Sequence, residues 1–486
     1  MRTTLVITVI TAFATLTLVP FVVASRAAVY AFVISVSLVL IYFAYGLVSR
    51  GRTHMQSRAS RNLVGFLFVA VPLAASLLVF VEEFNIYREW YKPVMISSFT
   101  VLFLSNMMFL PLSLAFYRRE ERQEKNQLFG APVSIIIPAY NEEKWIGHCI
   151  EAVLEADYPS KEIIVVDDGS TDNTYGVASR YVRHGVIVLR KPNGGKASAL
   201  NYGMLYATGE IIVTVDADSI ISRDTLKNLL TPFKDPKVVG VAGNVKVVNP
   251  VNWLTKNQAL EYITQLNITR RATSYYGVVQ VMPGPLAAFR KKEAVALGKY
   301  DRVTLTEDFD LTVKLLKTGG VIQAPPGAFA YTEAPSTLSS LYRQRLRWYR
   351  GNIQVLLRHS DAFRVSRYGF LTYLVFPLLV VQQLVIPILG VAAIPAAIMI
   401  IINGGIGYVL KLLAVFTILQ SLISLTALDM ENEDVRMVLY APFAVVGYKH
   451  LLDIIAFKSI IDILVLRRRP RWTRAEKKGL QIPTRS

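Results

Sequence analysis

Three pairs of carboxylates in the middle of the chain are the residues best suited to chemistry. They are Asp167 with Asp168, Asp216 with Asp218, and Glu307 with Asp308. Carboxylate oxygens are hard ligands that hold Mg²⁺ or Mn²⁺, and a cation held in this way can bind a diphosphate. A carboxylate within hydrogen-bond reach of a hydroxyl group can also accept its proton as a general base. The pairs therefore indicate metal-assisted chemistry and proton transfer on a phosphorylated compound.

Two further segments have the composition to bind phosphates. Residues 191–196 read KPNGGK, in which the glycines would let backbone N–H groups approach phosphate oxygens beside the charge of Lys196. This segment is not a Walker A sequence. Residues 344–348 read QRLRW, where the arginines suit a diphosphate and the ring of Trp348 offers an apolar face to a sugar.

The carboxylates follow strands of a predicted α/β domain. Apolar strand patterns occur at 133–138, 162–166, 186–189 and 210–215, and helical patterns separate them at 143–156 and 196–207. This alternation predicts a mostly parallel sheet flanked by helices. Ligands of open α/β sheets bind outside the carboxyl ends of the strands. Polar clusters at 138–142, 167–170 and 216–218 follow three such ends, so we expect them to converge on one rim.

Each cluster alone also has a simpler structural explanation. Asp, Asn, Gly and Ser are common in turns, and Thr306 or Asp308 would suit a helix cap. The basic segment around 343–350 would suit a juxtamembrane helix that binds anionic headgroups. Three polar clusters on one rim are less expected of turns alone, so we favour a ligand site.

The N-terminal quarter of the chain is predicted to cross a membrane. Uncharged runs lie at 5–23, 27–48, 63–81 and 93–117. Each is long enough to span a hydrocarbon core of about 30 Å. The first could also be a signal peptide, but its apolar stretch is longer than is usual for one, so we favour a span. Loop 49–61 carries arginines without acids, whereas loop 82–92 is mainly acidic. The positive-inside rule therefore predicts a cytoplasmic N-terminus and a cytoplasmic segment after residue 117.

A second hydrophobic region begins near residue 368. Residues 368–428 hold a single charge, Lys411, and an acidic loop at 429–434 follows. The next segment, 437–466, contains four charged residues, Lys449, Asp453, Lys458 and Asp462, and is expected to be transmembrane or interfacial. The predicted organisation is four transmembrane helices in 1–117, a cytoplasmic domain in 118–335, an interfacial amphipathic segment in 336–367, three to four transmembrane or interfacial helices in 368–466, and a basic cytoplasmic tail in 467–486.

Composition excludes several other classes of protein. Of 486 residues, 53% are hydrophobic and 18% are charged, which excludes disorder and a collagen-like chain. Cys149 is the only cysteine, so neither an internal disulfide nor a cysteine zinc cluster can form. The net charge is +18, but the basic residues concentrate beside the predicted spans, so nucleic acid is excluded as a partner.

Taken in order, the motifs resemble a known signature. Residues 138–142 (PAYNE), 167–170 (DDGS), 216–218 (DAD), 306–308 (TED) and 344–348 (QRLRW) are similar to the D, D, D, QxxRW pattern of processive family 2 glycosyltransferases. That group includes poly-N-acetylglucosamine, cellulose, chitin and hyaluronan synthases. The resemblance covers residues 131–351 closely. It implies a GT-A fold, inserted between N- and C-terminal transmembrane helices, that transfers a sugar with inversion from a UDP-sugar.

The resemblance also implies roles for individual residues. The nucleotide would be bound by Tyr140, Glu142, Asp167, Asp168, Lys196, Asp216, Gln344 and Arg347. Asp216 and Asp218 match the metal-binding positions, for Mg²⁺ or Mn²⁺. Asp308 matches the general base, with Glu307 beside it in the catalytic motif. Trp348, Gly284 and Pro285 match positions that contact the acceptor.

The sugar itself stays open at this stage. Residues 283–286 (PGPL) are similar to chitin and hyaluronan synthases, whereas 287–290 (AAFR) with Gln344 and Arg345 are more similar to the poly-N-acetylglucosamine group. We expect a hexosyltransferase of the plasma membrane that uses UDP-GlcNAc to elongate a polysaccharide and exports the product. Alternatives are a cellulose-like enzyme that uses UDP-glucose, a non-processive transferase to a lipid acceptor, and a non-catalytic membrane protein. The expected partners are the UDP-sugar, the polysaccharide and the lipid bilayer; an accessory export subunit is compatible with the sequence but not identified by it.

Overall fold

The computed structural model describes residues 2–19, 58–121 and 130–468, together with residues 22, 26, 29, 30, 33 and 37. Most of the predicted span 27–48, most of loop 49–61 and nearly all of the tail 467–486 lie outside the described residues. The chain forms two compact units. The sheet unit contains Arg118–Thr255 and Thr273–Leu341, and the helical unit contains the described residues of Met1–Tyr117, Lys256–Ala272 and Tyr342–Pro470.

The sheet unit is built on ten strands in two sheets. In chain order they are β1 Val133–Ala139, β2 Lys161–Asp167, β3 Ile187–Arg190, β4 Ile211–Val215, β5 Ser219–Ile221, β6 Val238–Ala242, β7 Asn244–Val247, β8 Leu286–Arg290, β9 Val321–Gln323 and β10 Phe329–Thr332. The larger sheet has the order β3-β2-β1-β4-β8-β6-β9, and β8 alone runs antiparallel to its neighbours. The smaller sheet has the order β5-β10-β7. The prediction of an α/β unit with a mostly parallel sheet is therefore confirmed.

The helices of the sheet unit pack against its strands. They are Ile146–Glu155, Thr174–Ser179, Lys196–Tyr206, Thr225–Leu230, Lys291–Ala296 and Glu307–Lys317. In the first of these, Ile146, Cys149, Ile150 and Val153 are buried, a spacing that places all four on one helical face. Gly203 lets a second helix approach the sheet closely, because a β-carbon there would lie 2.7 Å from Ile136 Cγ2.

The register of the parallel strands brings their carboxyl ends to a common edge. In β1 and β2, Ala139 is paired with Asp167, so the two strands end side by side. Strand β4 pairs with the other side of β1 and ends at Val215, immediately before Asp216. The strands that precede three predicted polar clusters are therefore adjacent in the sheet, as the sequence pattern predicts.

The helical unit consists almost entirely of helices. Its longer ones are Arg2–Leu18, Arg58–Tyr87, Tyr91–Glu121, Leu338–Arg358, Ile386–Ile402, Ile406–Glu431 and Tyr448–Ile460, and the shorter ones include Trp253–Glu261, Ile268–Ser274 and Phe376–Val380. Four described stretches are long and apolar enough to cross a membrane: Val69–Tyr87, Tyr91–Phe116, Leu371–Ile402 and Ile406–Glu431. A fifth candidate is the pair Val435–Ala444 and Tyr448–Val465, which is bent by 50°. The number of spans and their orientation stay predictions.

Charged residues of the last helical segment pair within the protein. Lys449 lies 2.5 Å from Asp453, and Lys458 lies 3.0 Å from Asp462, each pair one turn apart. Asp462 also forms an ion pair with Arg350. The mixed composition of 437–466 therefore includes charges that neutralise one another inside the helical unit, where an unpaired charge would be costly.

Candidate active site

The loops that follow β1 and β2 interlock at the carboxyl edge of the sheet. Ser170 Oγ accepts a hydrogen bond from Asn141 N at 2.9 Å, and Thr174 Oγ1 accepts one from Glu142 N at 2.7 Å. Asn141 has a φ of 56°, a left-handed conformation that asparagine tolerates better than most residues. These bonds place half-buried Tyr140 and Glu142 in a fixed loop beside the second polar cluster.

The carboxylate of Asp168 organises the glycine-rich segment. Its Oδ1 accepts a hydrogen bond from Lys191 Nζ at 2.5 Å, and its Oδ2 accepts one from Gly195 N at 2.7 Å. Gly194 N also donates to both oxygens, at 3.1 and 3.2 Å. Because Asp168 is only 3% exposed, the loop is shaped around a buried charge. The same glycine N–H groups that would suit a phosphate thus bind a carboxylate of the protein.

Its neighbour Asp167 is fully buried and holds the turn that follows β2. Oδ1 accepts a hydrogen bond from Ser170 N at 3.1 Å, and Oδ2 lies 3.1 Å from Arg190 Nε. Both aspartates of this pair therefore shape the rim of the sheet in this structure. Their expected contact with a nucleotide stays a prediction.

A cleft opens where the carboxyl end of β4 meets the loop before β8 and the helix Glu307–Lys317. Its lining consists of Lys196, Leu200, Thr214, Met282, Pro283, Gly284, Ala287, Tyr300, Glu307 and Asp308. The space left between these side chains is small, about the size of one water molecule.

Lys196 is the central cation of this cleft. Its ammonium group forms an ion pair with Asp216 Oδ1 and lies 3.9 Å from Glu307 Oε1. Burial alone would lower the pKa of Lys196, but the carboxylates of Asp216, Glu307 and Asp308 raise it above the ordinary value. The lysine therefore stays protonated, and three carboxylates face one ammonium group.

This excess of negative charge suits a divalent cation. Asp216 and Asp218 belong to one turn after β4, closed by a 2.9 Å hydrogen bond from Ser219 N to Asp216 O, and both side chains are half-buried. In the described part of the chain, no three His, Cys, Asp or Glu side chains are grouped to hold a metal ion by themselves. Two carboxylates would bind Mg²⁺ or Mn²⁺ together with ligand oxygens, so these residues fit the expected metal.

The carboxylate of Asp308 is held at the start of a helix. Oδ2 accepts a hydrogen bond from Gly284 N at 3.1 Å, and Oδ1 accepts one from Phe309 N at 2.8 Å. The helix begins at Glu307, so the Asp308 carboxylate lies at its positive N-terminal end. Thr306 occupies the N-cap position but makes no side-chain cap hydrogen bond. The capping explanation for Thr306 is therefore wrong.

The loop before β8 reaches the cleft through Gly284. A β-carbon at this position would lie 2.6 Å from Lys196 Nζ, 3.3 Å from Asp216 Oδ2 and 3.6 Å from Asp308 Oδ2. Only a residue without a side chain leaves the ammonium group of Lys196 where it is. Gly284 lines the cleft directly, whereas Pro285 is not among the lining residues.

Three residues that sequence reasoning missed hold the cleft in shape. Thr312 Oγ1 donates to Asp308 O at 2.7 Å and accepts from Met282 N at 3.0 Å. The amide of Asn201 binds Tyr300 N at 3.0 Å and Tyr300 O at 2.8 Å. The pKa of Tyr300 is raised by burial and by the neighbouring carboxylates, so its phenol stays neutral. In the sequence, these residues are marked only by having a polar side chain within an otherwise helical or buried segment.

The remaining predicted residues lie in the helical unit. Gln344, Arg347 and Trp348 occupy the helix Leu338–Arg358 and are half-buried. The guanidinium carbon of Arg345 lies 4.4 Å from the centre of the Trp348 ring. The expected contacts of Gln344, Arg347 and Trp348 with donor and acceptor stay predictions.

Comparison with known proteins agrees with the geometry of the sheet unit. Residues 134–295 match the family described as "Glycosyl transferase family 2". These residues form a family 2 glycosyltransferase domain. The predicted resemblance to family 2 glycosyltransferases is thereby confirmed for this stretch of the chain. The match contains β1 to β8, the glycine-rich segment, the Asp216–Asp218 turn and Gly284.

Curated relatives of the glycosyltransferase domain are named as polysaccharide synthases. A poly-beta-1,6-N-acetyl-D-glucosamine synthase of Staphylococcus aureus is 34% identical over 229 residues, which cover 46% of this chain and 56% of that protein. A protein of the same name from Staphylococcus epidermidis is 32% identical over 240 residues, which cover 49% of this chain and 58% of that protein. The chain thus spans little more than half the length of these relatives.

A solved structure shares the fold of the glycosyltransferase domain. It is a mannosyltransferase from Pyrobaculum calidifontis, solved in complex with GDP-Man and Mn²⁺, and it superposes with a TM-score of 0.54. The two chains are 21% identical, and the match covers 78% of this chain and 100% of the other. At this identity the likeness establishes the GT-A-like α/β fold and nothing about substrate.

Proposed function

We propose that this protein is a membrane-embedded inverting β-glycosyltransferase that transfers N-acetylglucosamine from UDP-GlcNAc to a growing polysaccharide and exports the polymer. The observation that carries the proposal is the convergence of Lys196, Asp216 and Asp308 around Gly284 in a family 2 glycosyltransferase domain. The names of the staphylococcal relatives support N-acetylglucosamine as the sugar. The long apolar helices support a bilayer as the environment.

Asp308 is the residue that would act on the acceptor. As the acceptor hydroxyl oxygen bonds to the anomeric carbon of the donor, its proton passes to a free lone pair of the Asp308 carboxylate. Proton acceptance of this kind typically contributes about 10²–10⁴-fold to the rate. The hydrogen bonds from Gly284 N and Phe309 N keep the carboxylate aimed before the proton arrives.

The leaving group requires positive charge rather than a proton donor. When the bond between the anomeric carbon and the diphosphate breaks, the electron pair goes to UDP, and negative charge grows on a phosphate oxygen. Lys196 keeps its proton in the cleft and would face that charge. A divalent cation held by Asp216 and Asp218 would supply further positive charge to the diphosphate when bound. Direct attack from the opposite side inverts an α-linked donor to a β-glycoside.

The binding of donor and acceptor would involve further predicted residues. Tyr140, Glu142, Asp167 and Asp168 lie at the rim after β1 and β2, and we assign them to the nucleotide. Gln344 and Arg347 are assigned to the diphosphate, and Trp348 with Gly284 and Pro285 to the acceptor. The domain and both chain termini would be cytoplasmic, because nucleotide sugars are made there and the polymer must leave.

Release of UDP and the length of the product together test the proposal. Purified full-length protein in lipid nanodiscs is supplied with Mg²⁺ or Mn²⁺ and, separately, with UDP-GlcNAc, UDP-glucose and UDP-glucuronic acid. We expect UDP release from UDP-GlcNAc and a polymer of high molecular mass. Release from UDP-glucose alone would support the cellulose-like alternative instead, and single-sugar products on lipid would support a non-processive transferase. The Asp308→Asn variant in the same nanodiscs controls for contaminating enzymes.

A further inference from the structure

A buried carboxylate in the helical unit binds the central arginine of the QRLRW segment. Glu261 Oε2 lies 2.8 Å from Arg345 Nη2, and the two side chains are 8% and 3% exposed. The same oxygen accepts a hydrogen bond from the hydroxyl of Tyr448 at 2.5 Å. Glu261 therefore joins three segments of the helical unit, the helices Trp253–Glu261, Leu338–Arg358 and Tyr448–Ile460.

The guanidinium group that Glu261 holds lies against aromatic rings. Arg345 Cζ is 4.4 Å from the centre of the Trp348 ring, which is three residues further along the same helix. It is also 5.8 Å from the ring of Tyr262, the residue next to Glu261. A cation over an aromatic face at such distances is attracted by the ring. The orientation of the Trp348 ring is thus linked to the position of the Arg345 guanidinium.

This arrangement depends on the charge of Glu261. A buried guanidinium without a counter-charge would move toward water or draw water in. Burial alone would lower the pKa of Arg345, yet Glu261 raises it above the ordinary value. The segment that follows Glu261, Tyr262–Asn267, is a π-helical turn, a form that is rare and frequent at functional sites.

We propose that Glu261 is a positioning residue which, through Arg345, sets the orientation of the Trp348 ring so that the ring can hold the end of the acceptor. The inference rests on the proposed function, because it takes Trp348 as the acceptor platform. Glu261 itself touches neither donor nor acceptor in this account. Its loss would therefore weaken the use of acceptor and shorten the polymer without changing the affinity for the UDP-sugar.

The test compares Glu261→Gln with the wild type in nanodiscs, using UDP-GlcNAc and a short N-acetylglucosamine oligomer as acceptor. We expect the apparent KM for the oligomer to rise by roughly tenfold to 10²-fold, the range that a displaced reactant can cost, while the KM for UDP-GlcNAc changes less than about twofold. Glu431→Gln is the matched control. Glu431 is also a buried carboxylate of the helical unit, 2.9 Å from Arg271. It should leave the acceptor KM unchanged.

Two further measurements separate positioning from a general structural role. The fluorescence of Trp348, isolated by subtracting the spectrum of Trp348→Phe, should shift in Glu261→Gln and stay unchanged in Glu431→Gln. In a double-mutant cycle, Glu261→Gln should add little to the loss caused by Trp348→Ala, because both remove the same platform. Tyr448→Phe, which keeps the ring but removes one bond to Glu261, should have a smaller effect of the same kind.

Several outcomes would overturn the inference. An unchanged acceptor KM in a folded Glu261→Gln protein would do so, as would an unchanged Trp348 spectrum. Glu261→Gln could instead weaken the binding of donor and acceptor equally, and its losses could add fully to those of Trp348→Ala. That result would show that Glu261 only stabilises the fold. If wild-type protein in the same nanodiscs made no polymer from UDP-GlcNAc, the proposed function would fail, whereas the fluorescence comparison would still be readable.

Discussion

Gly284 N donates a hydrogen bond to Oδ2 of Asp308 at 3.1 Å, so the main chain of the loop before β8 is joined to the side chain of the expected base. A side chain at position 284 would enter the same space, because its β-carbon would lie 2.6 Å from Lys196 Nζ. The end of a lysine side chain can move away at little cost to folding. The contact between Lys196 and Asp216 would then be disturbed.

Gly284→Ala should therefore lose activity without losing stability. We expect sugar transfer to fall by about 10²-fold, the effect of misplacing a reacting group by roughly 1 Å, and the melting temperature to stay close to that of the wild type. UDP release and differential scanning fluorimetry measure the two quantities on the same preparation. A fully active variant would mean that Lys196 has no part in transfer.

Asp308→Asn should abolish transfer while UDP binding persists. The amide keeps the shape of the side chain but cannot accept a proton, so a loss of at least about 10²–10⁴-fold is expected. Asp310→Asn is the matched control, since Asp310 lies in the same helix, is fully buried and pairs with Lys314 at 3.1 Å. That variant should lower stability more than transfer. Normal turnover in Asp308→Asn would exclude Asp308 as the base.

The parts of the fold that are local in sequence could be predicted, and the parts that depend on distant pairing could not. The apolar runs at β1, β2 and β4 predict buried strands because each is short, continuous and flanked by turn residues. The antiparallel β8 enters the sheet between β4 and β6, about 70 residues after β4 in the chain, and no local pattern indicates that neighbour.

The same distinction applies to the site. Asp216 and Asp308 stand in short motifs, which is why the sequence marks them as candidates. By contrast, the clamp of Asn201 on the main chain of Tyr300 joins residues 99 positions apart and leaves no pattern in one sequence. The two glycine N–H groups bound to Asp168 illustrate a different difficulty. Phosphate and carboxylate oxygens are similar acceptors, so the segment 191–196 alone could not distinguish them.

Asp218→Ala should remove the metal dependence of UDP binding. Asp218 lies in the turn after β4 beside Asp216, and a carboxylate lost from a two-carboxylate site weakens its hold on a hard cation. Isothermal titration calorimetry with UDP, in the presence of Mn²⁺ and then of EDTA, gives the comparison. The wild type should bind UDP more weakly in EDTA, and the variant should bind equally weakly in both. A variant that keeps the difference would show that the turn has only a structural role.

Cysteine labelling should show both chain termini on the cytoplasmic side. The arginines of 49–61 and of 467–471 support this orientation through the positive-inside rule. Cys149→Ser removes the single native cysteine, and Ser486→Cys then provides one site at the C-terminus. A membrane-impermeant maleimide added to intact cells should not react until the cells are lysed. Labelling of intact cells would place the C-terminus outside and change the number of spans.

Thr312→Val should change the geometry of the cleft without changing its charges. The substitution keeps the side-chain shape but removes the hydroxyl that donates to Asp308 O and accepts from Met282 N. Met282 is 2% exposed, so its N–H group would lose its partner in a buried place, at a cost of about 1–3 kcal/mol in stability. The loop that carries Gly284 would also lose its tie to the helix that carries Asp308. We therefore expect kcat to fall by roughly tenfold to 10²-fold, with the affinity for UDP unchanged.

Thr312→Ser keeps the hydroxyl and should retain most of the activity. If Val and Ser variants of equal stability were equally active, the hydroxyl would have no role in aligning Gly284 with Asp308.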